Sequence, residues 1–327
     1  GASNIAIGLL ALSGEDTGAR NIAIGYGALR VQNYDGQAHN VAIGYEAGTA
    51  VTTGVQNTLI GGNAGDSLTT GGNHTAVGYL ALSTEDEGGK ATAVGWKALT
   101  AQNTNTDTFN VAVGYQAGSN VTTGAYNVLL GGNAGGGLVN GGYSTAVGYG
   151  ALGTEDAGSF NTAMGVNALA LLNAGADGYN TAIGYTAGAA MTTGVQNTIV
   201  GGEAGDAITT GSRNILMGVS AGGATTVGSL NVAIGNSALA SNILTDRNVA
   251  IGVDALNALV GDGSTANQTT YNVAVGYYAG LSVTTGNNNT VIGGLAGDAL
   301  TTGSQNVALG TAALSSATTS ANNVAIG

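Results

Sequence analysis

The chain contains no cysteine, no proline, one tryptophan, two phenylalanines and only six basic residues among 327. Each shortage closes a route. Without cysteine there is neither a disulfide framework nor a thiolate metal site. Without proline, and without a three-residue glycine period, the 60 glycines do not make collagen. Arg20, Arg30, Lys90, Lys97, Arg213 and Arg247 are scattered through a chain of net charge −12, so a nucleic-acid backbone finds no basic patch and is not expected as a partner. No run of eighteen apolar residues and no charged-then-apolar leader occurs, so this segment carries no apparent membrane span or signal peptide. No window shows a helical stripe. Charged residues make up 7% and hydrophobic ones 43%, which is too apolar for a disordered chain.

What is present is one phrase, returning nineteen times between Asn4 and Gly327, the last copy cut short. Asn40-Val41-Ala42-Ile43-Gly44-Tyr45-Glu46-Ala47-Gly48 is a representative copy. Position one is Asn in 16 copies, position two is β-branched, position four aliphatic, position five Gly and position eight Ala. Most copies run for 17 residues, those at Asn21, Ala91 and Asn161 for 19, and the one at Asn248 for 24. The order 17, 19, 17, 17 gives a 70-residue super-repeat, marked by Glu15-Asp16, Glu85-Asp86 and Glu155-Asp156. Residues 1–213 form a regular array, and residues 214–327 continue it with irregular coil lengths and a loop near 261–271. The pattern is already running at both ends, so the chain is read as a segment of a longer polypeptide.

Each phrase is short, β-branched and closed by Gly, which reads as a strand ending in a bend. A second apolar patch such as Ala50-Val51-Thr52-Thr53-Gly54 predicts a second strand. Two strands and two bends in 17 residues make one coil of a parallel β-solenoid, about eighteen coils in all. A coil cannot fold alone. Ordering each residue costs roughly 1–2 kcal/mol, and two branched side chains return only about 1.5–3 kcal/mol each. Stacking must supply the rest, including a ladder of asparagine side chains. The first strand is apolar on both faces, Val41, Ile43 and Tyr45 on one and Ala42 and Gly44 on the other. One roll covers one face, so the other calls for a neighbour, most simply another copy of the chain.

The phrases Asn40-Val41-Ala42-Ile43-Gly44 with Ala47, and Asn231-Val232-Ala233-Ile234-Gly235 with Ala238, resemble the head repeats of trimeric autotransporter adhesins (the YadA-like head). Asn180-Thr181-Ala182-Ile183-Gly184-Tyr185 followed by Thr192-Thr193-Gly194 is similar to arrays in phage tail fibres. The resemblance covers essentially the whole chain. It implies a left-handed parallel β-roll, a side-by-side homotrimer, an extracellular, cell-surface or virion location, and a role in attachment to a host glycan or protein receptor.

Chemistry is sparse. Gly148–Gly153 matches a dinucleotide fingerprint in letters only, since no helix follows it. Gly61–Leu68 approaches the calcium nonapeptide but misplaces its third glycine. Glu15, Asp16, Glu85, Asp86, Glu155 and Asp156 are candidate oxygen ligands for a divalent cation, against the favoured reading of a solvated acidic corner. His39 and His74 have no partner at ligand spacing. No catalytic residue, cofactor or firm metal site is assigned. Tyr45, Trp96 and Tyr115, at position six, are candidates for stacking on a glycan. Against this, position three grows to Leu59, Leu129, Ile199 and Val291 where position six is Gly62, Gly132, Gly202 and Gly294, which reads as volume compensation within a packed core.

The expected function is therefore a structural fibre segment, the shaft or head of an adhesin or a virion tail fibre, and not an enzyme. An ice- or surface-binding solenoid is the alternative, suggested by Thr52-Thr53, Thr122-Thr123, Thr192-Thr193 and Thr284-Thr285. Those pairs skip coils, which argues against a continuous face. A polysaccharide-cleaving tailspike would need paired carboxylates in a groove, and none is identifiable.

Overall fold

The computed structural model describes residues 3–262 and 267–327. Among them there is no helix, and every copy of the phrase forms one three-residue strand over positions two to four. Two compact units result, Gly1–Phe160 and Asn161–Gly327. The first carries nine such strands, from Ile5–Ile7 to Thr145–Val147, and the second ten, from Thr162–Met164 to Val324–Ile326. Within each unit the strands pair in parallel and position for position, with Val41 opposite Thr58, Ala42 opposite Leu59 and Ile43 opposite Ile60. The fold is a parallel β-solenoid with one coil per copy.

Register survives the long coils. Ile22 pairs with Val41 across 19 residues, and Val249 with Val273 across 24. The additional residues leave the coil after position thirteen, where they make local turns such as Gly36 N–H to the Tyr34 carbonyl at 2.7 Å. Of the loop expected near 261–271, residues 263–266 lie outside the described residues.

The expected second strand forms only at the 24-residue coil, where Thr245–Asp246 pairs with Gln268–Thr269. Elsewhere the segment is a bend. Thr52 and Gly54 N–H both donate to the Thr69 carbonyl, at 2.9 and 3.2 Å, and two donors sharing one acceptor cannot continue a ladder. A tight path also explains why positions seven, nine and seventeen take left-handed backbone, as at Glu46 (φ 52°), Leu29 (φ 47°) and Gln56 (φ 60°). Position five is stricter. Gly44 has φ 146°, and a Cβ there would sit 2.3 Å from the Gly61 carbonyl oxygen, so only glycine fits.

Positions three, eight and twelve point inward, and Ala42, Ala47 and Val51 are fully buried. The asparagine ladder forms, with its two ends put to different uses. Asn40 Oδ1 accepts from the Asn57 backbone N–H at 2.8 Å, while Asn40 Nδ2 donates across its own coil to the Gly54 carbonyl at 2.7 Å. Each side chain thus ties one coil to the next and closes its own.

The core corrects the expected volume compensation. Position six lies outside, and Leu59 fills space left by glycine at position nine. A Cβ on Gly65 would meet Leu59 Cδ2 at 2.8 Å, and one on Gly48 in the preceding coil would meet Leu59 Cδ1 at 2.6 Å and Leu29 Cδ2 at 3.1 Å. No coil is large at both positions. Leu29, Leu82 and Leu99 at position nine accompany Ala23, Ala76 and Ala93, whereas Leu59, Leu129 and Leu216 accompany Gly65, Gly135 and Gly222. Leu216 also faces Val219 rather than glycine at position six, which breaks the correlation read from sequence and keeps this one.

Candidate functional surface

The acidic pairs do not form a solvated corner. Glu85 and Glu155 occupy position twelve, the inward column held elsewhere by Val51 and Leu68, and both are fully buried. Glu85 Oε1 accepts from the Gly88 and Thr104 backbone N–H groups at 3.0 and 3.2 Å, and Oε2 from Gln102 Nε2 at 2.8 Å. Gln102 Oε1 in turn accepts from Asn110 Nδ2 at 2.9 Å. A buried carboxylate needs several donors, and this one organises a turn in its own coil and another in the next. Glu155 Oε1 likewise accepts from Gly158 N–H at 2.8 Å, and Glu15 Oε1, less deeply placed, from Gly18 N–H at 2.5 Å. Asp16 and Asp156 are exposed and Asp86 is half-buried, so each pair is split between core and surface. Among the described residues no three His, Asp or Glu side chains converge on a point where a metal could sit.

His74 stands where an asparagine is expected and copies it. Its Nδ1 accepts from Ala91 N–H at 3.2 Å, as Oδ1 would, and its Nε2–H donates to the Gly88 carbonyl at 2.6 Å, as Nδ2 would. Both bonds require the neutral ring, and burial holds its pKa below the ordinary histidine range. His39 lies at position seventeen with φ 56°, away from this column.

The candidate glycan residues are exposed, Tyr45 and Tyr115 by more than half, but their faces are occupied. Tyr26 stacks on Tyr45 at 5.4 Å, and Trp96 on Tyr115 at 4.8 Å with planes 7° apart. Rings stacked along a column turn their edges to water, whereas sugar recognition uses the faces. A second column was not singled out from sequence. Phe109, Tyr126, Tyr143 and Phe160, each just before the head residue of its coil, stack at 5.3, 4.9 and 5.2 Å. Lys90 caps the series over Phe109 and pairs with Asp107 at 2.7 Å. The recurrence of aromatics at one fixed offset was the available signal.

Between these aromatic columns run positions two and four of every strand. They point away from the core and are half-exposed to exposed throughout both units, with Val113 at 37%, Ile183 at 38% and Leu309 at 45%. Thr, Val, Ile, Leu and Met fill them without one charge. No family model, curated protein or solved structure matches the chain. Its own surfaces therefore carry the functional reading.

Proposed function

We propose that the chain is a rigid segment of an extracellular fibre, the shaft or head of an adhesin or a virion tail fibre, built as a side-by-side homotrimer that presents a distal binding element to a host glycan or protein receptor. The observation that carries this reading is the outward strand face, an uncharged column of two branched or aliphatic side chains per coil repeated through each unit. Soluble monomers tolerate apolar patches of only a few hundred Å². A closed symmetric assembly of three chains would cover every such face at once. The repeated phrase's likeness to YadA-like heads and phage fibres points the same way, and the occupied aromatic faces place receptor binding elsewhere than at Tyr45, Trp96 and Tyr115.

Light scattering coupled to size exclusion tests the assembly. The expected species has three times the 31.4 kDa of one chain and resists dilution, and Val113→Asp with Ile183→Asp dissociates or misfolds it. A well-folded monomer, indifferent to two carboxylates on an already exposed face, would overturn the reading.

A further inference from the structure

The threonine pairs do not skip coils. Stacking the coils brings Thr69-Thr70 beside Thr52-Thr53, and Thr209-Thr210 beside Thr192-Thr193. Toward the end of the chain Thr284-Thr285, Thr301-Thr302 and Thr318-Thr319 occupy positions thirteen and fourteen of three successive coils. The inner hydroxyl of each rank is fixed the same way, by donating to the carbonyl of the next coil. Thr192 reaches Thr209 O at 3.1 Å, Thr209 reaches Thr226 O at 3.0 Å, Thr284 reaches Thr301 O at 3.2 Å and Thr301 reaches Thr318 O at 3.0 Å. The donor is thereby spent inside the protein, and a methyl and an acceptor lone pair remain toward water in one repeated orientation.

In the first unit these ranks are interrupted by acid, because Asp86 and Asp156 fall in the same column, and Asp86 accepts the Thr69 hydroxyl. In the second unit the interruption is gone. Seventy residues after Glu155-Asp156 stand Thr225-Thr226, and position thirteen reads Thr192, Thr209, Thr226, Ile243, Val260 and Thr284, every one β-branched and uncharged. Asn267 Nδ2 from the 24-residue coil reaches back to Val227 O at 3.3 Å, leaving the last three ranks on the other side of that loop.

We propose that the threonine ranks of the second unit are an ice-binding face. Coils stacked through a parallel ladder repeat at about 4.7–4.9 Å, close to the repeat of oxygen atoms along a crystal axis of ice. A neutral face with fixed methyls and acceptors orders water at that repeat, whereas a charge would hold its own shell in a competing orientation. The ranks lie across the thin core from the outward strand face, as the Asn40 bond to Gly54 of its own coil shows. They therefore stay open whether or not that face is covered, and the inference does not rest on the fibre reading.

The test is thermal hysteresis and ice-recrystallisation inhibition with the whole chain and two variants. In the first, Thr193, Thr210, Thr285 and Thr302 are each changed to Lys, at a position that already carries Glu87 in another coil. In the second, Ser220, Ser237, Leu295 and Ala312 are each changed to Lys, at the position held by Lys97. The unchanged chain is expected to shape ice crystals and depress their growth temperature. The first variant loses this at an unchanged melting curve, and the second keeps it. Absence of ice activity in the unchanged chain, equal loss in both variants, or retention on crystalline cellulose or chitin without ice activity would each overturn the proposal.

Discussion

At position one an asparagine accepts a hydrogen bond from the next coil and donates one across its own core, and His74 meets both demands with its two ring nitrogens. Protonation would remove the acceptor and leave a charge buried. With its pKa lowered in the fold, the unfolded chain takes up a proton near pH 6.5 while the folded chain resists until lower pH. Stability is thus full above about pH 6.5 and falls as the pH drops from there to the folded value, below which it levels. His74→Asn should therefore flatten the dependence of Tm on pH between about 6.5 and 5, while leaving Tm near pH 8 little changed. An unaltered slope would locate the acid sensitivity elsewhere. Glu85 makes the second residue-scale case. Glu85→Ala strands three donors inside the core and should cost about 2–4 kcal/mol in denaturant titration, whereas Glu87→Ser, at an exposed site, stays within about 0.5 kcal/mol. Sequence alone put both residues on one acidic corner, because adjacent carboxylates usually share solvent. The alternation of inward and outward residues along a coil separates them, and only the column of Val51, Leu68 and Gln102 reveals which is which.

At the scale of one coil, the unit of packing is the pair of positions three and nine. Leu59→Ala should destabilise by about 2–5 kcal/mol, and adding Gly65→Leu should recover part of it by recreating the alanine–leucine coil seen at Ala76 and Leu82. Adding Gly62→Tyr should recover nothing, since position six lies outside the core. A double-mutant cycle separates the two rescues. The strand, its parallel register, the inward alanine column and the asparagine ladder were all legible, because each rests on a residue type whose chemistry permits few alternatives. The second strand was not. Val51-Thr52-Thr53 alternates as a strand should, but the chain must turn within two residues there, and closure of the coil overrides local propensity. The compensation was read with the wrong partner because Gly62 and Gly65 vary together in the super-repeat, and only Leu216 separates them.

For each unit as a body, the question is what the outward strand face meets. An aspartate at Val113 or Ile183 costs little on a surface already wet, and several kcal/mol on one that is desolvated. The two-substitution variant therefore reads burial directly, without knowledge of any partner. The apolar columns behind this reading were plain in the sequence. The threonine ranks were not, since four pairs scattered along a chain become neighbours only when the coils are stacked in register. The aromatic column from Phe109 to Phe160 was hidden for the same reason. Its members stand one residue ahead of the motif that draws the eye.

The arrangement at Gly48 bears on how genes of this kind can change length. That coil is small at both of its core positions and is filled by Leu29 from below and Leu59 from above. The same order, with glycine between a leucine-nine coil and a large-three coil, returns at Gly118, Gly188 and Gly280. Excising the single coil 40–56 would bring two leucines into one void, whereas excising the 70 residues 40–109 rejoins coils already matched at the seam. The shorter deletion should lower Tm more than the longer one, although it removes a quarter as many residues. Unequal recombination between copies would then be tolerated in steps of four coils, and lengths that differ by one coil would be purged.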